Sequence, residues 1–276
     1  MSFYPSIRRN GLLILGLAGT IFVGTACAPA ISTQQEVELG AQASQQIAQE
    51  LPLVRDAGVN QYLNRLGQSI AQRADPRGIQ YQFYVVNAPE VNAFAVPGGH
   101  VYINRGLIER AENLSEVAGV LAHEIGHVVH RHGIDQWQRA QQAEMGLGLL
   151  YGILLGRAPS GVEQAGIQLG GTAVFAGYSR DAEREADAVA IRYLMDSGIH
   201  PIGLVTMFEK LLAERQRNPG SVEQWFSTHP TSEERITNTR AAIAALPAGS
   251  LAGLNTNNQG FINFRQRVSQ LAAAPR

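Results

Sequence analysis

The sequence has a single cysteine and no long run of apolar residues. Cys27 is the only cysteine among 276 residues, so the chain cannot form a disulfide within itself, and cysteine pairing does not indicate its redox compartment. The 22 basic and 23 acidic residues give a formal net charge of −1, which argues against the basic surface typical of nucleic-acid-binding proteins. No stretch reaches the ~20 apolar residues of a transmembrane helix. A composition that is 45% apolar is that of a globular protein with one good-sized domain.

The first 27 residues are predicted to be a secretory signal peptide. Two arginines precede an apolar run from Leu12 to Val23, and small residues follow it up to Ala28; this is the order of the basic, apolar and cleavage regions of a signal. Two interpretations of Cys27 remain open. It is either the lipid-anchored first residue of a mature lipoprotein, or part of a peptide removed at Ala26-Cys27-Ala28. In both cases we expect an exported protein, in the periplasm or associated with the outer membrane.

Helical and strand patterns alternate along the rest of the chain. Apolar residues recur at helical spacing from Ser32 to Ala74, which predicts two helices. The aromatic and β-branched run from Tyr81 to Val86 predicts a strand, and residues 92–104 predict two short strands that turn at Pro97-Gly98-Gly99. Later segments again have helical spacing. Residues 246–276 are interpreted as a C-terminal tail.

The segment His123-Glu124-Ile125-Gly126-His127 has the His-Glu-x-x-His pattern of a metallopeptidase site. Residues four apart lie one above the other on a helix, so His123 and His127 present two imidazoles from one face, as a tetrahedral zinc ion requires. Glu124 lies beside them, where a carboxylate can take a proton from water. His130 and His132 are interpreted as supporting or surface residues, because their spacing and direction do not suit the same ion.

A third protein ligand must come from another segment. The metzincin class is excluded, because the chain lacks the glycine and third histidine that this class requires after the motif. The helix predicted around residues 181–194 offers a glutamate instead. At about 100° per residue, Glu183 and Asp187 lie together at the border of its buried face, whereas Glu185 points to the opposite side. Helical geometry therefore selects Glu183 as the ligand, and Asp187 is expected to accept the outer N–H of His123.

The segment Asn92-Ala93-Phe94-Ala95-Val96 is a candidate for binding substrate. It ends at Pro97, and proline is confined to edge strands because it cannot donate to a β-ladder. Residues 93–96 are therefore expected at the edge of a sheet, beside a cleft. Such an edge can bind an extended peptide as an added strand. The alternative of an ordinary hairpin with a glycine turn remains open from this segment alone.

Four segments together resemble the M48 family of zinc metallopeptidases, which includes the Ste24, HtpX and Oma1 groups. They occur in the expected order over roughly residues 35 to 245, which makes the resemblance more specific than any single motif. Because no apolar span follows the signal, the chain is similar to the exported Oma1/BepA-like branch, and to its short lipoprotein members. The four segments are Asn92–Gly99, His123–His127, Glu183–Asp187 and Thr228–Pro230.

The resemblance implies a compact, gluzincin-type domain at residues 32–245. Its fold class is α+β, mainly α, with a small sheet whose edge strand borders the active-site cleft. The implied partners are polypeptide substrates. The charge balance predicts no nucleic-acid partner, and if Cys27 is lipidated its anchor would contact a membrane. One Zn²⁺ per subunit is implied, with a role for each site residue: zinc ligands at His123, His127 and Glu183, a general base at Glu124, and a supporting carboxylate at Asp187.

The predicted function is zinc-dependent hydrolysis of peptide bonds in unfolded or misassembled proteins of the cell envelope. By residue type and position, Tyr178, His229 and Arg235 are candidates for stabilising the oxyanion. His229 has two further interpretations: a regulatory ligand at the fourth zinc position, or a capping residue before Pro230. The alternative function is a zinc-stabilised chaperone or assembly factor of the envelope that cuts little.

Overall fold

The computed structural model describes residues 31–142, 177–230 and 233–273. The predicted signal peptide, including Cys27, lies outside these residues. Elements are numbered over the described residues only. The strands are β1 Gln82–Val86, β2 Ala93–Val96 and β3 His100–Asn104. The helices are α1 Thr33–Glu50, α2 Ala57–Ala74, α3 Arg105–Arg110, α4 Leu114–Val129, α5 His132–Gln142, α6 Arg180–Asp196, α7 Ile202–Arg217, α8 Glu223–Thr228, α9 Glu233–Ala244 and α10 Gln259–Ser269.

Helices dominate this architecture, and the three strands form one small sheet. The predicted class, α+β and mainly α, is confirmed. Over the residues that the structure describes, no helix is both long and apolar enough to cross a membrane.

The sheet has the order β1-β3-β2, so β2 lies at one edge. β1 runs parallel to β3, whereas β2 runs antiparallel to it and is joined to it by a tight turn. Gly98 and Gly99 have φ angles of +79° and +89° in this turn, a region that residues with a Cβ rarely adopt. The predicted edge position of Ala93–Val96 is therefore confirmed, and its glycine turn explains the hairpin.

Helix α4 is the central element of the core. Its residues from Leu114 to Val128 are buried, and it packs against α2, α6, α7 and β2. Two glycines allow these close approaches. A Cβ added at Gly126 would lie 3.0 Å from Cγ2 of Val189 on α6, and one added at Gly119 would lie 2.8 Å from the Cα of Leu204 on α7. Helices α4 and α6 can thus pack this closely because Gly126 has no side chain.

The predicted C-terminal tail contains α10, which packs on α2 and α3. Phe261, Phe264 and Val268 are buried in the main core, and the Phe264 ring stacks on Tyr62 with centroids 4.6 Å apart. The spacing of these three apolar residues follows one helical face. Such a short pattern among Asn, Gln and Ala residues is weak in the sequence, which is why this helix was not predicted.

Candidate metal centre

Helix α4 presents two imidazoles side by side in the interior of the protein. His123 and His127 are one turn apart, with 0% and 1% of their surfaces exposed, and their Nε2 atoms lie 3.0 Å apart. The helix begins at a cap in which the Asn113 side chain accepts the N–H of Glu116. The pair thus lies deep in a helix whose packing fixes both rings.

Helix α6 brings Glu183 to the same point. This helix begins at Ser179, whose hydroxyl accepts the N–H of Ala182, and Glu183 lies fully buried in its first turn. One carboxylate oxygen lies 3.3 Å from Nε2 of His127, and the other lies 3.6 Å from Nε2 of His123. The close contact of α6 with Gly126 makes these short distances attainable.

His229 closes the cluster from the end of α8. Its Nδ1 lies 3.3 Å from Nε2 of His123 and 3.2 Å from a Glu183 oxygen. The ring is fully buried and stacks on Trp225 with centroids 4.6 Å apart. His123, His127, Glu183 and His229 form a group whose four donor atoms lie within 4.8 Å of one another.

The spacing of these donors fits a zinc ion. A tetrahedral zinc ion with bonds of ~2.0–2.1 Å holds its ligand atoms about 3.3 Å apart. The Nε2 atoms of His123 and His127 lie 3.0 Å apart, and they lie 3.6 and 3.3 Å from the two different carboxylate oxygens of Glu183. Two imidazoles and a carboxylate are also a donor set that zinc prefers. The residues present therefore suit a metal, and His229 offers a fourth donor atom within 4.8 Å of the other three.

Glu124 lies against this group without being part of it. Its Oε1 is 3.3 Å from Nε2 of His229, and none of its surface is exposed. Burial raises the pKa of the Glu124 carboxyl above its ordinary value, although His229 and His123 oppose this shift. A carboxylate with a raised pKa holds a transferred proton more firmly, which suits a general base.

Asp187 and Arg235 form a buried layer behind His123. Oδ1 of Asp187 lies 2.9 Å from Nδ1 of His123. Arg235 donates to both oxygens of Asp187 at 2.7 Å and also binds Glu183 through Nη1. Burial would raise the pKa of Glu183, but His229, His127 and Arg235 outweigh it and hold this pKa well below its ordinary value. Arg235 therefore binds two buried carboxylates, Asp187 behind His123 and Glu183 within the cluster.

A second layer lies behind His127. Nδ1 of His127 is 2.9 Å from Nδ1 of His132, and Nε2 of His132 is 3.0 Å from Oε2 of Glu185. Nδ1 of His130 lies 2.9 Å from the other oxygen of Glu185. Glu185 lies on the exposed side of α6, away from Glu183, as predicted, but its carboxylate contacts His130 and His132. Helix α5 begins directly after α4 and places His132 between His127 and α6, an arrangement that the periodicity of α6 alone cannot show.

Tyr178 covers the opposite face of His127. The two rings are stacked, with centroids 3.7 Å apart and planes 12° from parallel. Burial, reinforced by the charges of Glu124 and Glu183, raises the pKa of the Tyr178 phenol well above its ordinary value. The phenol therefore keeps its proton at neutral pH and can donate it in a hydrogen bond.

The edge strand borders the metal centre closely. Ala95 and Val96 line a cavity with Pro97, His127 and Tyr178 among others. Its volume is only about 10 Å³, roughly the room for one water molecule. The strand thus lies beside His127, and the space between them is small.

This chain is similar to a known peptidase family and to several known proteases. The model of peptidase family M48 matches residues 57–243. The beta-barrel assembly-enhancing protease of Escherichia coli K12 is 32% identical over 224 residues, which cover 79% of this chain and 46% of that protein. The chain thus spans about half the length of the assembly-enhancing proteases that it matches.

Two other relatives cover different lengths. Metalloprotease YcaL of Escherichia coli K12 is 32% identical over 192 residues, which cover 66% of this chain and 69% of that protein. The mitochondrial metalloendopeptidase OMA1 of Arabidopsis thaliana is 31% identical over 163 residues, 57% of this chain and 30% of that protein. The family match extends over more than half of the chain and includes every donor of the cluster. The chain belongs to peptidase family M48.

Proposed function

We propose that this protein is a zinc-dependent endopeptidase of the cell envelope that hydrolyses peptide bonds in unfolded or misassembled polypeptides. One observation supports it above all others: two imidazoles and a carboxylate converge at zinc-ligand spacing beside a buried glutamate. Membership of family M48 implies a metal and a peptidase reaction. Neither a structural metal site nor an accidental cluster needs a free carboxylate at the position of Glu124.

Each residue of the proposed site would have its own role. His123, His127 and Glu183 would hold one zinc ion, which supplies Lewis acidity for the activation of water and the polarisation of a carbonyl. Glu124 would take the proton of the attacking water and return it to the leaving amine, in keeping with its raised pKa. Asp187 would keep the proton of His123 on Nδ1, which leaves Nε2 free to bind the metal.

Tyr178 is the best placed of the three candidates for stabilising the oxyanion. Its ring lies on His127, and its phenol retains the proton that such a donor requires. Arg235 is engaged by Asp187 and Glu183, so a positioning role suits it better. His229 lies within 3.3 Å of His123 and Glu124, where it would occupy the fourth zinc position and keep the enzyme latent until it moves.

Substrate would bind along the edge strand. Residues Ala93–Val96 form an edge strand of the sheet, and α4 packs against that strand. An extended peptide added there would pass next to the metal centre. Because the cavity beside Ala95 and Val96 holds only about one water, binding would require its lining, which includes Tyr178, to move.

The envelope location and the substrate class rest on the sequence and on relatives. The predicted signal peptide indicates export, with a lipid anchor at Cys27 as the open alternative. Matched proteins are named for enhancing β-barrel assembly, which is consistent with polypeptide substrates in the envelope.

A substitution of Glu124 tests this proposal. The purified protein and its Glu124→Gln variant are incubated with an unfolded protein, with and without chelator, and fragments and bound zinc are measured. We expect chelator-sensitive fragments from the wild type, one zinc per chain in both proteins, and a loss of about 10²–10⁴-fold in turnover for Glu124→Gln. Glu223→Gln, an exposed glutamate on α8, is the control and should cut normally.

The same assay includes His229→Ala, which should cut faster if His229 holds the enzyme latent. Turnover that survives in Glu124→Gln contradicts the proposed chemistry. The alternative is a zinc-stabilised chaperone that cuts little. Client binding without fragments in the wild type and in His229→Ala would support that alternative.

A further inference from the structure

We propose that His132 and Glu185 are positioning residues that fix the orientation and tautomer of the metal ligand His127. This inference rests on the proposed function, because it takes His127 to be a metal ligand through Nε2. The observation behind it is an unbroken series of short contacts from Nδ1 of His127 to His132 and on to Glu185, at 2.9 and 3.0 Å. These distances suit hydrogen bonds at both steps.

Only one arrangement of protons satisfies all of these contacts. A neutral imidazole that ligates through Nε2 carries its proton on Nδ1. His127 must therefore donate from Nδ1 to the lone pair on Nδ1 of His132. His132 then carries its own proton on Nε2 and donates it to Oε2 of Glu185. Each atom has one role, and the carboxylate at the end determines the tautomer of both rings.

The opposite tautomer of His132 is unfavourable at both ends. It would place an N–H of His132 against the N–H of His127, and a nitrogen lone pair against the Glu185 carboxylate. The negative charge of Glu185 thus acts on the metal ligand through His132, as carboxylates do behind many zinc-bound histidines. Here the intermediate group is a second imidazole, which extends the reach of the carboxylate.

The backbone between α4 and α5 is shaped to present these rings. Arg131 has a φ of +57°, the only left-handed value of a non-glycine residue among the described ranges, and glycine is the usual residue at such a helix end. Its side chain is bound on both sides: Nη2 donates to the Ile31 carbonyl at 2.6 Å, and Nε lies 2.9 Å from the buried Glu36 carboxylate. This turn places His130 and His132 against the same carboxylate.

A second metal at this place is the competing interpretation. His130, His132 and Glu185 offer donor atoms within 4.8 Å of one another. However, Nε2 of His132 carries a proton whenever its Nδ1 accepts from His127, so it has no lone pair for a metal. With the main centre occupied, this cluster retains only two ligands. Zinc stoichiometry therefore separates the two interpretations.

The test compares zinc affinity and the absorption spectrum of the cobalt-substituted protein in four variants of the full chain. His132→Leu should weaken zinc binding by about 10–100-fold, and Glu185→Gln should weaken it less, because an amide still accepts the hydrogen bond. Glu185→Gln added to His132→Leu should have no further effect within twofold, since Glu185 acts only through His132. Asp181→Asn, an exposed acid on the same helix, should match the wild type.

The cobalt spectrum should change in His132→Leu and Glu185→Gln and remain unchanged in Asp181→Asn. The inference is overturned if Glu185→Gln weakens zinc binding equally in the presence and in the absence of the His132 side chain. It is also overturned if His132→Leu and Glu185→Gln each bind zinc like the wild type. Two zinc ions in the wild type and one in Glu185→Gln would also overturn it, in favour of a second metal site. A wild-type chain that binds no zinc contradicts the proposed function itself, and His123→Ala confirms which site is being titrated.

Discussion

The two imidazoles of α4 are supported from behind in two different ways. Nδ1 of His123 faces Asp187, which is bound by Arg235, and the side chains of both residues are about 5% exposed. Nδ1 of His127 faces His132, and the carboxylate beyond it is 50% exposed. One imidazole is thus held by an ion pair inside the core, and the other by contacts that lead to the surface.

The two supports are expected to contribute differently to the stability of the protein. A buried carboxylate and guanidinium are desolvated together, so the loss of either leaves a charge without a partner inside the protein. A half-exposed carboxylate remains solvated when its partner is lost, so its contribution is smaller and depends on salt. We therefore expect the His123 side to control folding and metal binding together, and the His127 side to affect metal binding alone.

The largest effect is expected from Arg235→Leu. It leaves Asp187 and Glu183 buried without their counter-ion, so the free energy of unfolding should fall by about 3–5 kcal/mol. Urea unfolding of the metal-free protein measures it. Arg240→Leu, on the same helix but 51% exposed in its pair with Glu209, should change stability by less than about 1 kcal/mol. Equal effects of the two substitutions would remove the contrast between the two supports.

Tyr178→Phe separates metal binding from chemistry on the His127 side. The ring that stacks on His127 is kept, so zinc affinity should stay within about twofold of the wild type. The phenol is lost, and turnover should fall by about 10²–10³-fold if it stabilises the oxyanion. Steady-state cleavage of a peptide and zinc competition measure the two quantities. Normal turnover would return the role of oxyanion donor to His229.

The smallest effect is a difference in salt dependence. Asp187→Asn should weaken zinc binding by about 10–100-fold at any salt concentration, because its charge is buried. The cost of Glu185→Gln should shrink between ~0.05 and ~1 M salt, where the Debye length falls to ~3 Å. Zinc competition at both salt concentrations gives the comparison. A salt-independent cost for Glu185→Gln would mean that both supports act from the interior.

Local periodicity accounts for what could be predicted. The four-residue spacing of His123 and His127, and the helical phase of Glu183 and Asp187, depend only on the geometry of single helices, and the structure brings all four side chains together. The edge strand followed from the position of Pro97. These features need no knowledge of how distant elements pack.

The supporting contacts of His132 and Glu185 could not be predicted in the same way. They depend on the left-handed conformation of Arg131, which no residue preference indicates, and on the direction that α5 takes from it. A helical projection of α6 correctly places Glu185 away from Glu183. It cannot show that the start of α5, with His132, lies beside Glu185. This part of the site is determined by contacts of His130 and His132 with α6, and not by the periodicity of any single helix.

The close packing at Gly126 changes how the metal-binding motif should be understood. The two positions between the glutamate and the second histidine are usually written as arbitrary. Here the second of them faces Ala186 and Val189, with an added Cβ only 3.0 Å from the Val189 side chain and 3.3 Å from the Ala186 backbone. A larger residue here would require Val189 or the α6 backbone, and with it Glu183, to shift by a few tenths of an ångström. The residue at this variable position of the motif therefore influences the distance between α4, which carries both histidines, and α6, which carries Glu183.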